Sequence, residues 1–372
     1  MIKKILFISC SAGSGHIKAA EALHLACAKK YPQIQSWHFN ISDDWNFLLR
    51  HSVTTPYEFA LKHYPALFGA AYKLTDSAPL TKAGQLFNFL LRFGVQKHLD
   101  KISEFGPEAV VYTHFIPALM LSKFLDAPQY MLVTDYYAHK IWRVPNMKAF
   151  FVPTEETKKS MGKFAPACAI TGLPVSPEFK KVKPIAELKT KLGLTNDQPV
   201  VLFMPTVPGK VDIGKVVLSL RTERSGVKQS PAIADGIASP YRARNDKQLN
   251  IIIILGKNQG DIAPSENLRV IKPVPNIDEY MRIADVIVTK AGGMSITEIA
   301  YLRKPMLIIN PIPGQEEYNA KIFCKLGYCL VARDNDELEA KIKAALSGQL
   351  FFKAPPLQDA AEKILNTIFG QG

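Results

Sequence analysis

Short apolar runs of strand length recur along the whole chain, and helical patterns separate them. In the N-terminal half they read ILFISC (5–10), QSWHFNI (35–41), AVVYTHF (109–115), QYMLVTD (129–135), AFFVPT (149–154) and ACAITG (167–172). In the C-terminal half they read VVLFMPT (200–206), NIIIILG (250–256), RVIKPV (269–274), VIVTKA (286–291), MLIINP (306–311) and YCLVAR (328–333). Many are near-continuous in β-branched residues. That pattern belongs to parallel sheets covered by helices on both faces. The expected fold class is α/β, with two Rossmann-like domains whose parallel sheets face each other across a cleft. A Pro- and Lys-rich stretch, TGLPVSPEFKKVKPIAELKTKLGLTNDQP (171–199), separates the two sets. The expected organisation is a domain over 1–176, a linker over 177–198, a second domain over 199–355 and a terminal helix over 356–372. Residues 225–248, SGVKQSPAIADGIASPYRARNDKQ, show no periodicity and many turn formers. A segment of this length inside a compact domain reads as a functional or mobile insertion.

Hydrophobic residues make up 47% of the 372 positions, enough for two cores. No apolar run approaches the length that spans a bilayer. The start, MIKKILFISC, enters a strand directly without a cleavage site for a signal peptide, so the expected location is cytoplasmic. The five cysteines, Cys10, Cys27, Cys168, Cys324 and Cys329, include no CxxC pair, which argues against a disulfide framework or a zinc site. A net charge of +13 favours an anionic partner: nucleic acid, an acidic membrane or a phosphorylated substrate. No nucleic-acid-binding motif accompanies the charge, so that partner is not expected.

Two glycine loops follow strands. In SCSAGSGHIKAAEAL (9–23), Gly13 and Gly15 precede a helix opening near His16. Glycines there let the backbone turn sharply, and the first helical N–H groups attract anions. The loop is neither a Walker A loop, because His-Ile-Lys follows the second glycine, nor a dinucleotide fingerprint, because Lys18 replaces the third glycine. It reads either as a tight turn with an exposed histidine or as a cleft loop presenting His16. In VTKAGGMSITEIAYLRKPMLIINPIPGQEEYNAKIF (288–323) the strand ends in Ala291-Gly292-Gly293, and Ser295 and Thr297 place hydroxyls in the first turn of the next helix. This is a cradle suited to a diphosphate. Glu298, one turn in, is placed to accept hydrogen bonds from ribose hydroxyls. Gln315 and Glu316 offer donors and acceptors to a polyhydroxylated ligand at the carboxyl edge of the sheet, where such sheets bind ligands.

The stretch AGGMSITEIAYLRKPMLIINPIPGQEEYNA resembles the nucleotide-sugar motif of glycosyltransferase family 28. SAGSGHIKAAEAL, VTDYYAHKIW, TGLPVSPEF and GKN (256–258) resemble motifs of its branch of monogalactosyldiacylglycerol synthases and processive diacylglycerol glucosyltransferases. The resemblance implies a GT-B fold, with donor bound by the C-terminal domain and acceptor by the N-terminal one. It implies inverting transfer from a UDP-sugar with no metal or other cofactor required. By motif, Gly292, Gly293 and Ser295 should hold the diphosphate, Glu298 the ribose, and Gln315 and Glu316 the sugar, with Thr297 and Asn319 also binding the donor. Gly13 and Gly15 should form the acceptor and phosphate loop, with His16 facing the acceptor hydroxyl. The likeness breaks at MPTVPGKVDIG (204–214), where the family usually carries a glycine-rich loop. Pro205 and Pro208 lack the N–H groups such a loop supplies, and Gly209, Gly214 and Lys210 are partial substitutes.

A neutral histidine is a reasonable base near physiological pH, which makes His16 the first choice. Asp135 and His139, four apart in TDYYAHKIW, are expected to share a helical face, with His139 the second choice. The sequence contains no His/Cys cluster, in keeping with a metal-free route. The acceptor side is read from residues 44–74 and 85–99, which interleave Trp45, Phe47, Phe59, Phe68, Phe87, Phe89 and Phe93 with Arg50, Lys62, Lys73, Arg92 and Lys97. Mixed aromatic and basic helices suit an anionic membrane surface, or else core packing with solvated lysines; one helix can do both. The expected partners are UDP-glucose or UDP-galactose, a diacylglycerol acceptor and the inner face of the cell membrane. A lipid I type acceptor, a UDP-sugar epimerase and a non-catalytic UDP-sugar-binding protein are the alternatives.

Overall fold

The computed structural model describes residues 2–11, 13–45, 59–60, 63–77, 95–194, 198–205, 209–222, 249–255, 267–353 and 359–370. The strands are β1 Lys4–Ser9, β2 Gln35–Asn40, β3 Ala109–Tyr112, β4 Gln129–Leu132, β5 Ala149–Val152, β6 Cys168–Ile170, β7 Val200–Phe203, β8 Asn250–Ile254, β9 Leu268–Ile271, β10 Val286–Thr289, β11 Met306–Ile308 and β12 Leu330–Val331. Each apolar run of the sequence supplies one of them. They form two six-stranded sheets, in the orders β2-β1-β3-β4-β5-β6 and β12-β11-β10-β7-β8-β9. Neighbouring strands are parallel throughout, with Ile5 opposite Ala109 and Val201 opposite Val286, for example.

The side-chain period explains why the runs are apolar on both faces. Ile5 and Phe7 enter one core while Leu6 and Ile8 enter another. Val200 and Leu202 divide from Val201 and Phe203 in the same way. Helices cover both faces of each sheet: α1 Ser14–Lys30, α2 Pro65–Ser77, α3 Val95–Phe105, α4 Phe115–Leu121 and α5 Glu155–Ser160 in the N-terminal half, then α6 Ile185–Lys191, α7 Ile213–Thr222, α8 Ile277–Ile283, α9 Gly293–Tyr301, α10 Gln315–Leu326, α11 Asn335–Leu346 and α12 Ala360–Phe369.

Each strand order reverses once, between β1 and β3 in the first sheet and between β7 and β10 in the second. Ligands of open α/β sheets sit in the crevice outside the strand ends at such reversals. The loop carrying His16 leaves β1, and the Gly292-Gly293 loop leaves β10.

One hydrophobic core runs through both halves, joining Ala20, Leu23 and Cys27 of α1 to Met294, Ile296 and Ile299 of α9. α12 returns to the N-terminal half, where the Phe369 ring meets Tyr31 at 4.9 Å and Asp359 pairs with Lys180 at 2.8 Å. α6 lies against α8 through Lys183–Asp278 (2.6 Å) and Lys191–Glu279 (2.8 Å).

The segment TDYYAHKIW is a loop ending in a 3₁₀ turn, Lys140–Trp142, rather than a helix. Asp135 and His139 therefore do not share a helical face. Their side chains bond different elements, as described below. This loop makes the tightest contact between the halves. A β-carbon on Gly293 would lie 2.1 Å from the carbonyl oxygen of Thr134, so only glycine fits while the halves touch. Gly293→Ala should cost about 1–3 kcal/mol of stability, the usual range for overpacking. It should also part the halves, raising the radius of gyration in small-angle scattering with far-UV circular dichroism unchanged. An unchanged radius and unfolding midpoint would show that the contact is absent in solution.

Candidate functional site

Gly13, at φ 107°, makes the turn that only glycine adopts easily, and α1 starts directly after it without a side-chain cap. His16 lies in the first turn and is buried. Its Nδ1 is 3.0 Å from the Thr113 carbonyl oxygen and 2.9 Å from Thr134 Oγ1. A carbonyl only accepts, so Nδ1 carries the proton, and the lone pair of the neutral ring is on Nε2. Nε2 has no hydrogen-bond partner among the described residues. Burial outweighs the Thr113 hydrogen bond and lowers the His16 pKa to about 4. The sequence left open whether His16 is an exposed turn residue; it is buried at the strand reversal.

His139 is wired the opposite way. Its Nδ1 accepts the Ile141 N–H at 3.1 Å, so the proton sits on Nε2 and is given to the Tyr72 carbonyl, 3.1 Å away. Its lone pair is used by the backbone, which removes the basis for choosing it as a base. Asp135 faces the other half. It accepts from Gln315 Nε2 at 2.9 Å through each oxygen and from Asn319 Nδ2 at 3.3 Å. Burial raises its pKa to about 6 against those hydrogen bonds and one from Trp142.

On the opposing sheet, α9 begins at Gly293 with no side-chain cap. Ser295 is half-buried, and its hydroxyl has no partner among the described residues. Thr297 Oγ1 donates to the Gly293 carbonyl at 2.7 Å and receives the Tyr136 hydroxyl at 2.8 Å. Glu298 is 1% exposed, and its Oε2 makes no hydrogen bond. Lys18 Nζ stands 3.7 Å away, an ion-pair distance too long for a hydrogen bond. Burial pushes the Glu298 carboxyl up, partly offset by Lys18. A buried carboxylate oxygen left without a donor is costly unless a ligand supplies one.

Glu316 has both oxygens engaged, one by Lys290 Nζ and the other by the Ile312 N–H at 3.0 Å. Asn319 accepts from the Tyr136 N–H at 2.8 Å and donates to Ala291 O at 3.1 Å. Glu316 and Asn319 thus hold the site's framework. Lys290 was not singled out from the sequence, although it directly precedes Ala291-Gly292-Gly293. Lys290 Nζ stands beside Gly292, at the start of α9, where a β-carbon on Gly292 would lie 3.5 Å from it. Lys18, Thr134 and Tyr136 were missed as well, because their contacts join segments far apart in sequence.

The altered loop is partly described. Gly209 packs where a β-carbon would lie 2.4 Å from the Asn310 side chain, Asn310 Oδ1 accepts the Val211 N–H at 3.1 Å, and Lys210 is exposed. Residues 206–208, 225–248 and GKN at 256–258 lie outside the described residues.

α2 closes over the loop that leads into α10. A β-carbon on Gly69 would lie 2.5 Å from Pro313, Tyr72 crowds Gly314, and Asp76 accepts from the Tyr137 hydroxyl at 2.6 Å. Its other face exposes Leu67 (67%) and Leu74 (65%). Nearby Phe59 and Tyr64 are exposed too. Trp45 is buried in the core and does not belong to that surface. Lys97 is exposed and 3.7 Å from Asp44. Phe47, Arg50, Lys62, Phe87, Phe89, Arg92 and Phe93 lie outside the described residues. Among the described residues no group of His, Cys, Asp and Glu is placed to hold a metal ion. Nor is any helix long and apolar enough to cross a membrane.

The tautomer assignment has a direct check. Because the folded His16 pKa is lowered from 6.5 to about 4, the stability tied to its neutrality is complete above pH 6.5. It is lost as pH falls towards 4. The ¹⁵N imidazole signals of His16 should show the Nδ1–H tautomer unchanged from pH 8 to pH 5. A titration centred near pH 6.5 would disprove the assignment.

Two family models match the chain. Residues 16–175 match "Monogalactosyldiacylglycerol (MGDG) synthase", and residues 226–368 match "Glycosyltransferase family 28 C-terminal domain". The chain is 21% identical over 366 residues to a processive diacylglycerol beta-glucosyltransferase of Bacillus subtilis (strain 168), covering 93% of this chain and 88% of that one. It is 26% identical over 374 residues to the protein of the same description in Bacillus mycoides (strain KBAB4), covering 94% and 88%. Among solved structures, a UDP-GlcNAc 2-epimerase from Neisseria meningitidis bound to UDP-GlcNAc superposes with TM-score 0.61 at 14% identity, covering 99% and 100% of the two chains. MurG of Acinetobacter baumannii gives 0.50 at 14% identity, covering 99% of each. These likenesses place the two sheets in the GT-B architecture. The chain belongs to glycosyltransferase family 28, in its branch of monogalactosyldiacylglycerol synthases and processive diacylglycerol glucosyltransferases.

Proposed function

We propose that this chain is an inverting glycosyltransferase that moves a hexose from a UDP-sugar to diacylglycerol, forming a β-glycosyl glycerolipid at a membrane surface. The observation that carries the reading is the pairing across the two strand reversals. A histidine with a free lone pair stands on one side, and a helix whose buried Glu298 Oε2, ion-paired with Lys18, has no hydrogen-bond donor stands on the other. The two are close: a β-carbon on Gly15, beside His16, would lie 3.4 Å from the Met294 side chain in α9. The names of the Bacillus relatives favour glucose as the sugar and diacylglycerol as the acceptor.

In this reading Glu298 Oε2 accepts from the ribose hydroxyls. The N–H groups at the start of α9, with Ser295, bind the diphosphate. Lys290 and the helix dipoles offset the charge that develops on departing UDP. His16 Nε2 takes the acceptor's hydroxyl proton as its oxygen attacks the anomeric carbon. The bond to UDP breaks on the opposite face, the electron pair leaves with UDP, and the configuration inverts. Gln315 orients Asp135 against the sugar side of the cleft. The outward apolar face of α2 rests on the bilayer, and the positive net charge draws the protein to an anionic surface.

Incubation with diacylglycerol vesicles and a panel of UDP-sugars, read by mass spectrometry of the lipids, tests the reaction; no glycolipid from any donor would refute it. Glu298→Ala should weaken UDP binding by roughly 1.5–3 kcal/mol, since a charged acceptor is lost. His16→Ala should lower turnover at saturating substrates at least about 10²-fold with UDP affinity nearly unchanged. Calorimetry and initial rates separate the two effects; unchanged UDP affinity in folded Glu298→Ala removes Glu298 from the site.

The membrane contact has its own test. The double substitution Leu67→Glu and Leu74→Glu should reduce co-sedimentation with anionic vesicles at least several-fold, leaving UDP binding intact. High salt should weaken the same binding by screening. Indifference to both changes would return α2 to a purely structural role.

A further inference from the structure

His114 follows β3, on the other side of the same strand reversal as His16, and is buried beside it. The ring centroids are 4.3 Å apart at 72°, and each ring lies 6.0 Å from the Trp142 ring. Phe115 closes a further side, with its ring 4.2 Å from that of His114. His114 is the N-cap of α4, and its Nδ1 accepts the Ile116 N–H at 3.2 Å. The neutral ring must then carry its proton on Nε2, where it has no acceptor among the described residues. No hydrogen bond joins the two imidazoles. Adjacent neutral rings therefore hold opposite tautomers: a lone pair on His16 Nε2 and an N–H on His114 Nε2. That N–H stands among aromatic walls and is not one of the fully buried atoms left without a partner, so an oxygen brought by a ligand can reach it and complement it.

We propose that His114 is a specificity-determining residue for the acceptor, whose Nε2–H binds an oxygen on the carbon next to the one bearing the attacking hydroxyl. In a 1,2-diacylglycerol that oxygen belongs to the ester at the middle carbon. His16 accepts from the hydroxyl, His114 donates to the neighbouring ester oxygen, and the pair reads two adjacent oxygens of opposite hydrogen-bonding character. A simple long-chain alcohol satisfies only the first. The proposal rests on the glycolipid-forming reading above and adds to it how the acceptor is told from other hydroxylated lipids.

The test compares 1,2-diacylglycerol with a monoacylated 1,3-propanediol, which keeps the attacking hydroxyl and lacks the middle oxygen, in vesicles of the same composition. The variant is His114→Asn, since asparagine retains an N-cap acceptor for Ile116 while losing the imidazole N–H. The expected result is a fall of about tenfold in kcat/KM for diacylglycerol, carried mainly by KM, as for loss of one hydrogen bond. The ratio of kcat/KM values for the two acceptors should collapse towards one. A ratio unchanged by the substitution, or both acceptors losing equally, overturns the proposal and leaves His114 as a structural cap. Wild-type protein that glycosylates neither lipid overturns the underlying reading as well, so the two failures are distinguishable. Unchanged circular dichroism and UDP affinity in the variant keep the comparison free of misfolding.

Discussion

The contact between Thr134 and Gly293 is the constraint on which the site depends. It is a backbone carbonyl against a position with no side chain, and it brings the loop after β4 onto the first turn of α9. Around it, the Tyr136 N–H reaches Asn319, the Tyr136 hydroxyl reaches Thr297, and Asp135 takes Gln315 and Asn319. These partners are polar and buried or half-buried, so each broken pair would leave an unsatisfied or newly hydrated group. The contact therefore has few intermediate states: the halves are joined with this network made, or they separate and water takes its place. Donor and acceptor must both enter a cleft whose walls are held by such bonds.

Backbone groups set the chemistry of the histidines. His16, His114 and His139 are each near-neighbours of a strand end or a short helix start. At His114 and His139 a backbone N–H two residues on occupies Nδ1. At His16 the neighbour is the Thr113 carbonyl, and the tautomer inverts. Three rings of one chemical type thus present one free acceptor and two N–H donors. Burial strengthens the division by keeping all of them below the usual histidine pKa. Thr113 also ties the arrangement to the sheet, because its hydroxyl donates to the His16 carbonyl at 2.8 Å.

α2 joins the cleft to the outside. Its inner face meets Pro313 and Gly314, which lead into α10 and Gln315, while Lys73 pairs with Glu317 at 3.3 Å. Leu67 and Leu74, one heptad apart, point away. A surface that engages the outer face would therefore lie one helix diameter from the loop that leads into α10.

The sequence by itself determined the two sheets, because parallel strands buried on both faces require apolar runs that few other structures need. It also determined the two glycine loops: Gly13 needs its positive φ, and Gly292-Gly293 opens a helix directly after a strand. The resemblance of AGGMSITEIAYLRKPMLIINPIPGQEEYNA to a family motif was legible for the same reason, since all its parts lie on one continuous helix–strand–helix unit. What the sequence could not contain was the partner of each polar group. Four-residue spacing in TDYYAHKIW reads as a helical face, yet the loop's bonds to α2, α9 and α10 hold it extended. Glu316 and Asn319 look like donor contacts until Lys290, Ile312 and Tyr136 are seen to occupy them. His114 gave no local signal, since its tautomer depends on one cap bond and its role on a neighbour ninety-odd residues away. Strand order alone brought His16 and His114 together, and a hydrogen bond acts only over a few ångströms, whatever the separation along the chain.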